Sequence, residues 1–232
     1  MTRTASHERD YIPGLGRGFL TPLYDAVHRV FGVGGLHRLM IGLADLQPGM
    51  RVVDLGCGTG NLLITLARQR PDLDLGGLDP DPAALARAAR KARRRRLPIQ
   101  WERGFGQELP FPDSSVDRIF SSLMLHHLDD ASQHEFLAEV HRVLRPDGVL
   151  VLADLSRHGD HHGDHHGDHH GDHGEHSGHG GRGVLRHLLR RSVPAAADAH
   201  LVARLDDAGF GTEAPSVYPL SGLAITVVRA RH

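Results

Sequence analysis

Apolar and polar positions along the chain switch between two spacings. Phe19, Leu20, Leu23, Tyr24, Val27, Val30 and Phe31 recur at helical spacing, and Leu36, Leu39, Met40 and Leu43 do so again after the glycine-rich break 32–35. This predicts two amphipathic helices. Short apolar runs then alternate with longer helical stretches: strand 51–55, helix 60–69, strand 73–78, helix 81–95, strands 98–103 and 115–121, helix 132–144 and strand 148–154. Such alternation predicts an α/β fold with a mostly parallel sheet covered by helices on both faces. Beyond a polar, histidine-rich stretch, residues 199–208 read as a helix ended by Gly209. Residues 212–218 and 223–229 read as two strands joined through 219–222.

Length and charge narrow the picture. The 232 residues suffice for one sizeable core, and the order of elements distributes a single sheet over nearly all of them. Lys and Arg number 27 against 28 Asp and Glu, a balance that gives no electrostatic argument for nucleic acid or an anionic membrane as partner. The basic run Arg93 to Arg96 closes an Ala/Arg-rich helix, where cations favour the dipole. Cys57 is the only cysteine, so an intrachain disulfide is excluded and the residue reads as small packing rather than as a nucleophile. The first ten residues lack the apolar stretch of a secretory signal, and no run reaches the roughly 20 apolar residues of a membrane span. A cytoplasmic protein is expected.

The chemistry concentrates at Val52-Val-Asp-Leu-Gly-Cys-Gly-Thr-Gly60. An apolar strand runs into Gly56, Gly58 and Gly60 before the helical run Leu62, Leu63, Leu66, a tight turn at which a ligand approaches the backbone closely. A dinucleotide fingerprint needs glycine at the sixth place, which here is Asn61. Asp54 disfavours a pyrophosphate and favours a cation at short range. Asp79, at the next strand end about 20 residues on, suits ribose hydroxyls. S-adenosylmethionine, with its sulfonium, ammonium and ribose, matches both carboxylates. Ligands of open α/β sheets lie outside the carboxyl ends of the strands, which brings Ser122, Met124, His126 and His127 toward the reacting centre. Two readings of His126 and His127 stay open: acceptance of a proton from the acceptor, or capping and packing of the following helix.

Val52 to Gly60, Gly77-Leu-Asp-Pro-Asp81, Glu108-Leu-Pro-Phe-Pro-Asp113, Ser121 to Leu128 and Leu144-Arg-Pro-Asp-Gly-Val149 together resemble class I S-adenosylmethionine-dependent methyltransferases, in particular the ubiquinone/menaquinone-biosynthesis branch. The resemblance implies a Rossmann-like, doubly wound seven-stranded sheet with an antiparallel last strand. It implies N-terminal helices over the active site in residues 1–47, and a methyltransferase domain in 48–232 interrupted by 158–181. The implied activity is methyl transfer to a small-molecule acceptor. By resemblance Asp54 supports the ammonium end, Gly56, Gly58 and Gly60 contact the methionine part through backbone groups, and Cys57 between them belongs to the cofactor-binding set. Asp79 holds the ribose, and Pro80, Phe105, Gly106, Gln107 and Leu123 complete the cofactor-binding set. The family's Gly-Asp-Ala triplet, whose acid receives the adenine amino group, is here Gly104-Phe105-Gly106. That departure leaves Phe105 to cover the base, or to pack in the core while Gln107 and the backbone serve the adenine edge.

From His158 to His179 the chain repeats Gly-Asp-His-His and then decays, holding half of its 20 histidines. A glycine in every turn costs roughly 1 kcal/mol relative to alanine, so a helix is disfavoured there without metal. His161, His162, His165, His166, His169, His170, His173 and His176, with the interleaved carboxylates, compose a ligand set for zinc, nickel, cobalt or copper. A tolerated low-complexity expansion is the competing reading. A second functional class follows: a metal-binding protein on a methyltransferase fold with weakened catalysis. One cysteine disfavours thiol-relay arsenic methylation.

Overall fold

The computed structural model describes residues 33–156 and 199–232. The helix expected over Phe19 to Phe31 and the histidine-rich stretch lie outside them.

Within these residues the order is α1 (Val33–Leu43), β1 (Arg51–Leu55), α2 (Asn61–Gln69), β2 (Asp74–Asp79), α3 (Pro82–Arg94), β3 (Ile99–Arg103), β4 (Val116–Ser122), a single 3-10 turn (Leu125–His127), α4 (Asp130–Val143), β5 (Leu144–Leu155), α5 (Ala199–Asp207), β6 (Gly211–Thr212), β7 (Ser216–Leu220) and β8 (Leu223–Arg231). The path across the sheet is β3-β2-β1-β4-β5-β8-β6, with β7 also paired to β8. β1 to β5 are mutually parallel and β8 runs antiparallel to β5. Eight strands are counted where seven were expected, because the edge strand is split. β6 pairs with Ala230 and Arg231 and β7 with Leu223 to Val227, and Pro215, which has no N–H to donate, lies in the break.

Successive residues of each strand point to opposite faces, and each face has its own core. Val52, Leu75, Phe120, Val151 and Val227 pack with Leu36 and Met40 of α1 and Leu62 and Leu66 of α2. Val53, Leu78, Ile119, Leu150, Leu152 and Val228 pack with Phe136 and Val140 of α4 and Leu205 of α5. Helix starts follow local chemistry. Asp81 Oδ1 accepts the Ala83 N–H at 2.8 Å ahead of Pro82, and Asp129 Oδ1 accepts the Ser132 N–H at 2.8 Å. The second cap starts α4 two residues before its apolar pattern begins.

Two buried arginines anchor the end of α1. Arg118 Nε donates to the Ala44 carbonyl at 2.6 Å and its Nη2 to that of Asp45 at 3.1 Å, while Arg229 Nε donates to the Leu43 carbonyl at 2.8 Å. Cations thus satisfy consecutive carbonyls at the negative end of the helix. Among the described residues no helix is long and apolar enough to cross a membrane.

Candidate active site

The glycine turn is built where β1 hands over to α2. Gly56, Gly58 and Gly60 all have positive φ, at 71°, 52° and 74°. Each lacks a side chain for a different reason. A Cβ on Gly58 would meet nothing within 4 Å, leaving open space for a ligand. On Gly56 it would stand 2.6 Å from Met124 Cγ, and on Gly60 it would stand 2.4 Å from the Trp101 ring. Packing against Trp101 therefore accounts for Gly60.

A narrow cavity opens at this turn, lined by His37, Asp54, Gly56, Cys57, Gly58, Thr59, Asn61, Leu62, Ser122 and Leu123. Its acid is Asp54, 2% exposed, whose Oδ1 has no hydrogen-bond partner among the described residues. Burial pushes the Asp54 carboxyl well above the ordinary carboxylate range, and the charge of Asp79 pushes it further. Asp79 is raised chiefly by burial, partly offset by backbone N–H donors. Those donors are Gly58 at 2.7 Å on Oδ2 and Asp81 at 2.9 Å on Oδ1. Each oxygen of Asp79 keeps a lone pair for a further donor. Burial, then Asp54 and Asp79, raise the Cys57 thiol, which keeps it protonated and a packing group.

Of the residues expected to hold the cofactor, Asp54, Gly56, Cys57, Gly58 and Leu123 line this cavity, while Gly60, Asp79, Pro80, Phe105, Gly106 and Gln107 do not. A Cβ on Gly106 would stand 2.6 Å from the Phe136 ring, so that glycine serves contact with α4, and Phe105 is half-buried beside it. The segment after it is pinned to α4: Leu109 N–H donates to Glu139 at 2.7 Å, and Arg142 donates to the carbonyls of Leu109 and Phe111 at 3.1 and 3.0 Å.

At the end of β4, Leu123 takes φ +54°, a conformation costly for a branched side chain, and turns the chain into the 3-10 segment. There His126 Nδ1 lies 2.5 Å from Asp154 Oδ1 at the end of β5. His127, its ring centroid 4.1 Å from that of His126, is held below the ordinary histidine value by burial and by that neighbour.

His37, Thr59, Asn61 and Asp154 are additions to the sequence reading. His37 had a readable signal, since it sits in register with Val33, Leu36 and Met40 on the buried face of α1. Asp154 had none, because its partner lies in the 3-10 turn after β4, distant in sequence. No group of three metal-ligating side chains occurs among the described residues, and His161 to His176 fall outside them.

A methyltransferase domain profile matches residues 52–148. The demethylmenaquinone methyltransferase of Deinococcus radiodurans is 35% identical over 138 residues, 58% of this chain and 56% of that protein. Over this stretch the chain is similar to class I S-adenosylmethionine-dependent methyltransferases of the ubiquinone/menaquinone-like branch. The O-methyltransferase of malonyl-acyl-carrier protein from Dechloromonas aromatica is 39% identical over 119 residues, 51% of this chain and 41% of that one. The chain thus spans little more than half the length, or less, of these two curated relatives. Among solved structures, a SAM-dependent methyltransferase from Aquifex aeolicus superposes with a TM-score of 0.62 at 19% identity, over 91% of this chain and 97% of that one. The cyclase SpnF superposes with a TM-score of 0.66, also at 19% identity, over 91% and 92%. Both establish the Rossmann-like fold of the family. SpnF, named for a cyclisation, shows that the fold alone does not fix the reaction.

Proposed function

We propose that this protein transfers the methyl group of S-adenosylmethionine to a small-molecule acceptor. The observation that carries the reading is the Asp54 oxygen, buried and unpartnered in a cavity floored by the glycine turn. A buried acceptor of this kind is costly unless a donor arrives, and an ammonium group answers both its charge and its geometry. The donor supplies an electrophilic methyl carbon on a sulfonium, whose leaving group is a neutral thioether.

The chain's residues bind and align. Asp54 takes the ammonium end and the open face of Gly58 admits the donor's backbone-like part. Asp79, already oriented by the Gly58 and Asp81 N–H groups, is held ready for ribose hydroxyls. Fixing both partners in near-attack geometry supplies much of the acceleration when the leaving group is neutral. The name of the Deinococcus relative makes a naphthoquinol the first acceptor to assay. Calorimetry with S-adenosylmethionine and with S-adenosylhomocysteine tests the reading, followed by donor consumption with 1,4-naphthohydroquinone. Saturable binding of both nucleosides is expected; no binding at millimolar concentration refutes it.

A further inference from the structure

A histidine–carboxylate pair at the ends of β4 and β5 is used by no part of donor binding. Asp154, 4% exposed, accepts three hydrogens: the His126 backbone N–H at 3.1 Å on Oδ2, and the Leu155 N–H at 2.7 Å and the His126 ring at 2.5 Å on Oδ1. A carboxylate only accepts, so ring nitrogen Nδ1 meets it as N–H. In the neutral ring this selects the tautomer in which Nε2 carries the free lone pair.

The pair borders the donor cavity. Ser122 and Leu123 in the cavity wall lead directly into the 3-10 turn, and Met124 lies against Gly56. The His126 side chain keeps 26% of its surface exposed against 5% for Asp154. One partner is therefore sunk in the fold and the other faces outward, the division of labour of an orienting acid and the base it orients.

We propose that His126 is the general base of this site with Asp154 as its positioning residue, and that the acceptor is a molecule whose nucleophile carries an exchangeable proton. A phenolic or enolic hydroxyl qualifies; a thioether or tertiary amine does not. The inference rests on the methyl-transfer reading and specifies its acceptor. In the step, the hydroxyl proton passes to Nε2, and the freed electron pair, at oxygen or at the conjugated carbon, bonds to the methyl carbon. The methyl–sulfur bond breaks with its pair going to sulfur. The imidazolium, steadied by Asp154, then gives its proton to water.

Long-range proton–nitrogen correlation spectra of the labelled protein test the tautomer without an acceptor. His126 is assigned by its loss in His126→Gln. A protonated Nδ1 and bare Nε2 are expected in the wild type at about pH 8, with the population inverted in Asp154→Asn; a protonated Nε2 in the wild type overturns the proposal. With 1,4-naphthohydroquinone, His126→Gln should lose about 10²–10⁴-fold in kcat, with acceptor KM and calorimetric donor affinity within about twofold. Its rate should rise about tenfold per pH unit as the probe ionises. Undiminished turnover, or preferential turnover of N,N-dimethylaniline by the wild type, overturns the proposal. Absent donor binding instead refutes the methyl-transfer reading, and is distinguishable because the tautomer spectrum stays readable.

Discussion

Replacing Asp54 by asparagine preserves shape while removing charge, and it should separate stability from function in opposite directions. In the free protein the Asp54 oxygen is buried without a partner, and an unsatisfied buried group costs about 1–3 kcal/mol. Burial and Asp79 raise its folded pKa above the unfolded value. A carboxyl raised in this way contributes stability that is complete below the unfolded pKa and is lost as pH rises through the folded one. Wild type and variant should therefore melt alike near pH 4, where both carry a neutral group. The variant should gain progressively as pH rises, up to a Tm higher by roughly 2–12 °C, at about 2–4 °C per kcal/mol for a chain of this size.

Donor binding should move the other way. A hydrogen bond to a charged group contributes about 1.5–3 kcal/mol, so S-adenosylmethionine should bind the variant roughly 10- to 150-fold more weakly. Scanning calorimetry across pH, with and without the donor, reads both effects in one protein. If Asp54→Asn leaves the melting curve unchanged at every pH and keeps donor affinity within about twofold, Asp54 is not the group that receives the ammonium.

The other expectations are separable by assay. Gly60→Ala sets a methyl 2.4 Å from Trp101 at φ +74° and should cost about 2–5 kcal/mol in urea unfolding, the sum of left-handed strain and overpacking. Gly58→Ala meets only open space, so it should cost about 1 kcal/mol in stability but abolish calorimetric donor binding. Arg118→Met leaves the Ala44 and Asp45 carbonyls without their donor and should cost about 2–3 kcal/mol, with faster proteolysis between residues 43 and 50. Deleting residues 158–181 should abolish retention on immobilised nickel while donor affinity stays unchanged; a fall in donor affinity would show that the stretch contributes to the site.

The sheet was legible because its signal is local. Val52 to Leu55, Leu75 to Leu78 and Leu150 to Leu152 are apolar runs bounded by turns, and their strands lie within a residue or two of the expected ends, apart from β5, which begins four residues earlier, at Leu144. The expected strand 212–218 divided because Pro215 breaks the ladder, a signal present in the sequence. The acid and glycines of the cavity were legible for the same local reason: they are contiguous. Longer-range relations were not. That Gly60 is spared a side chain for Trp101, and Gly106 for Phe136, depends on α2 and α4 meeting residues distant in sequence. A glycine motif read from sequence therefore mixes positions kept bare for a ligand with positions kept bare for a neighbour. The positive φ does not sort them, since all three glycines of the turn have it. What sorts them is the space beyond the missing Cβ, open only at Gly58. Asp154 repeats the point from the other side. Its residue type carried no motif, and its chemistry exists only because the parallel pairing of β4 and β5, Ser122 beside Ala153, brings the ends of both strands to one edge. The left-handed Leu123 then turns His126 back over that edge. A variant that relaxes this turn, Leu123→Gly, should keep Asp154 buried yet loosen the His126 ring, broadening its nitrogen signals before the fold itself loses stability.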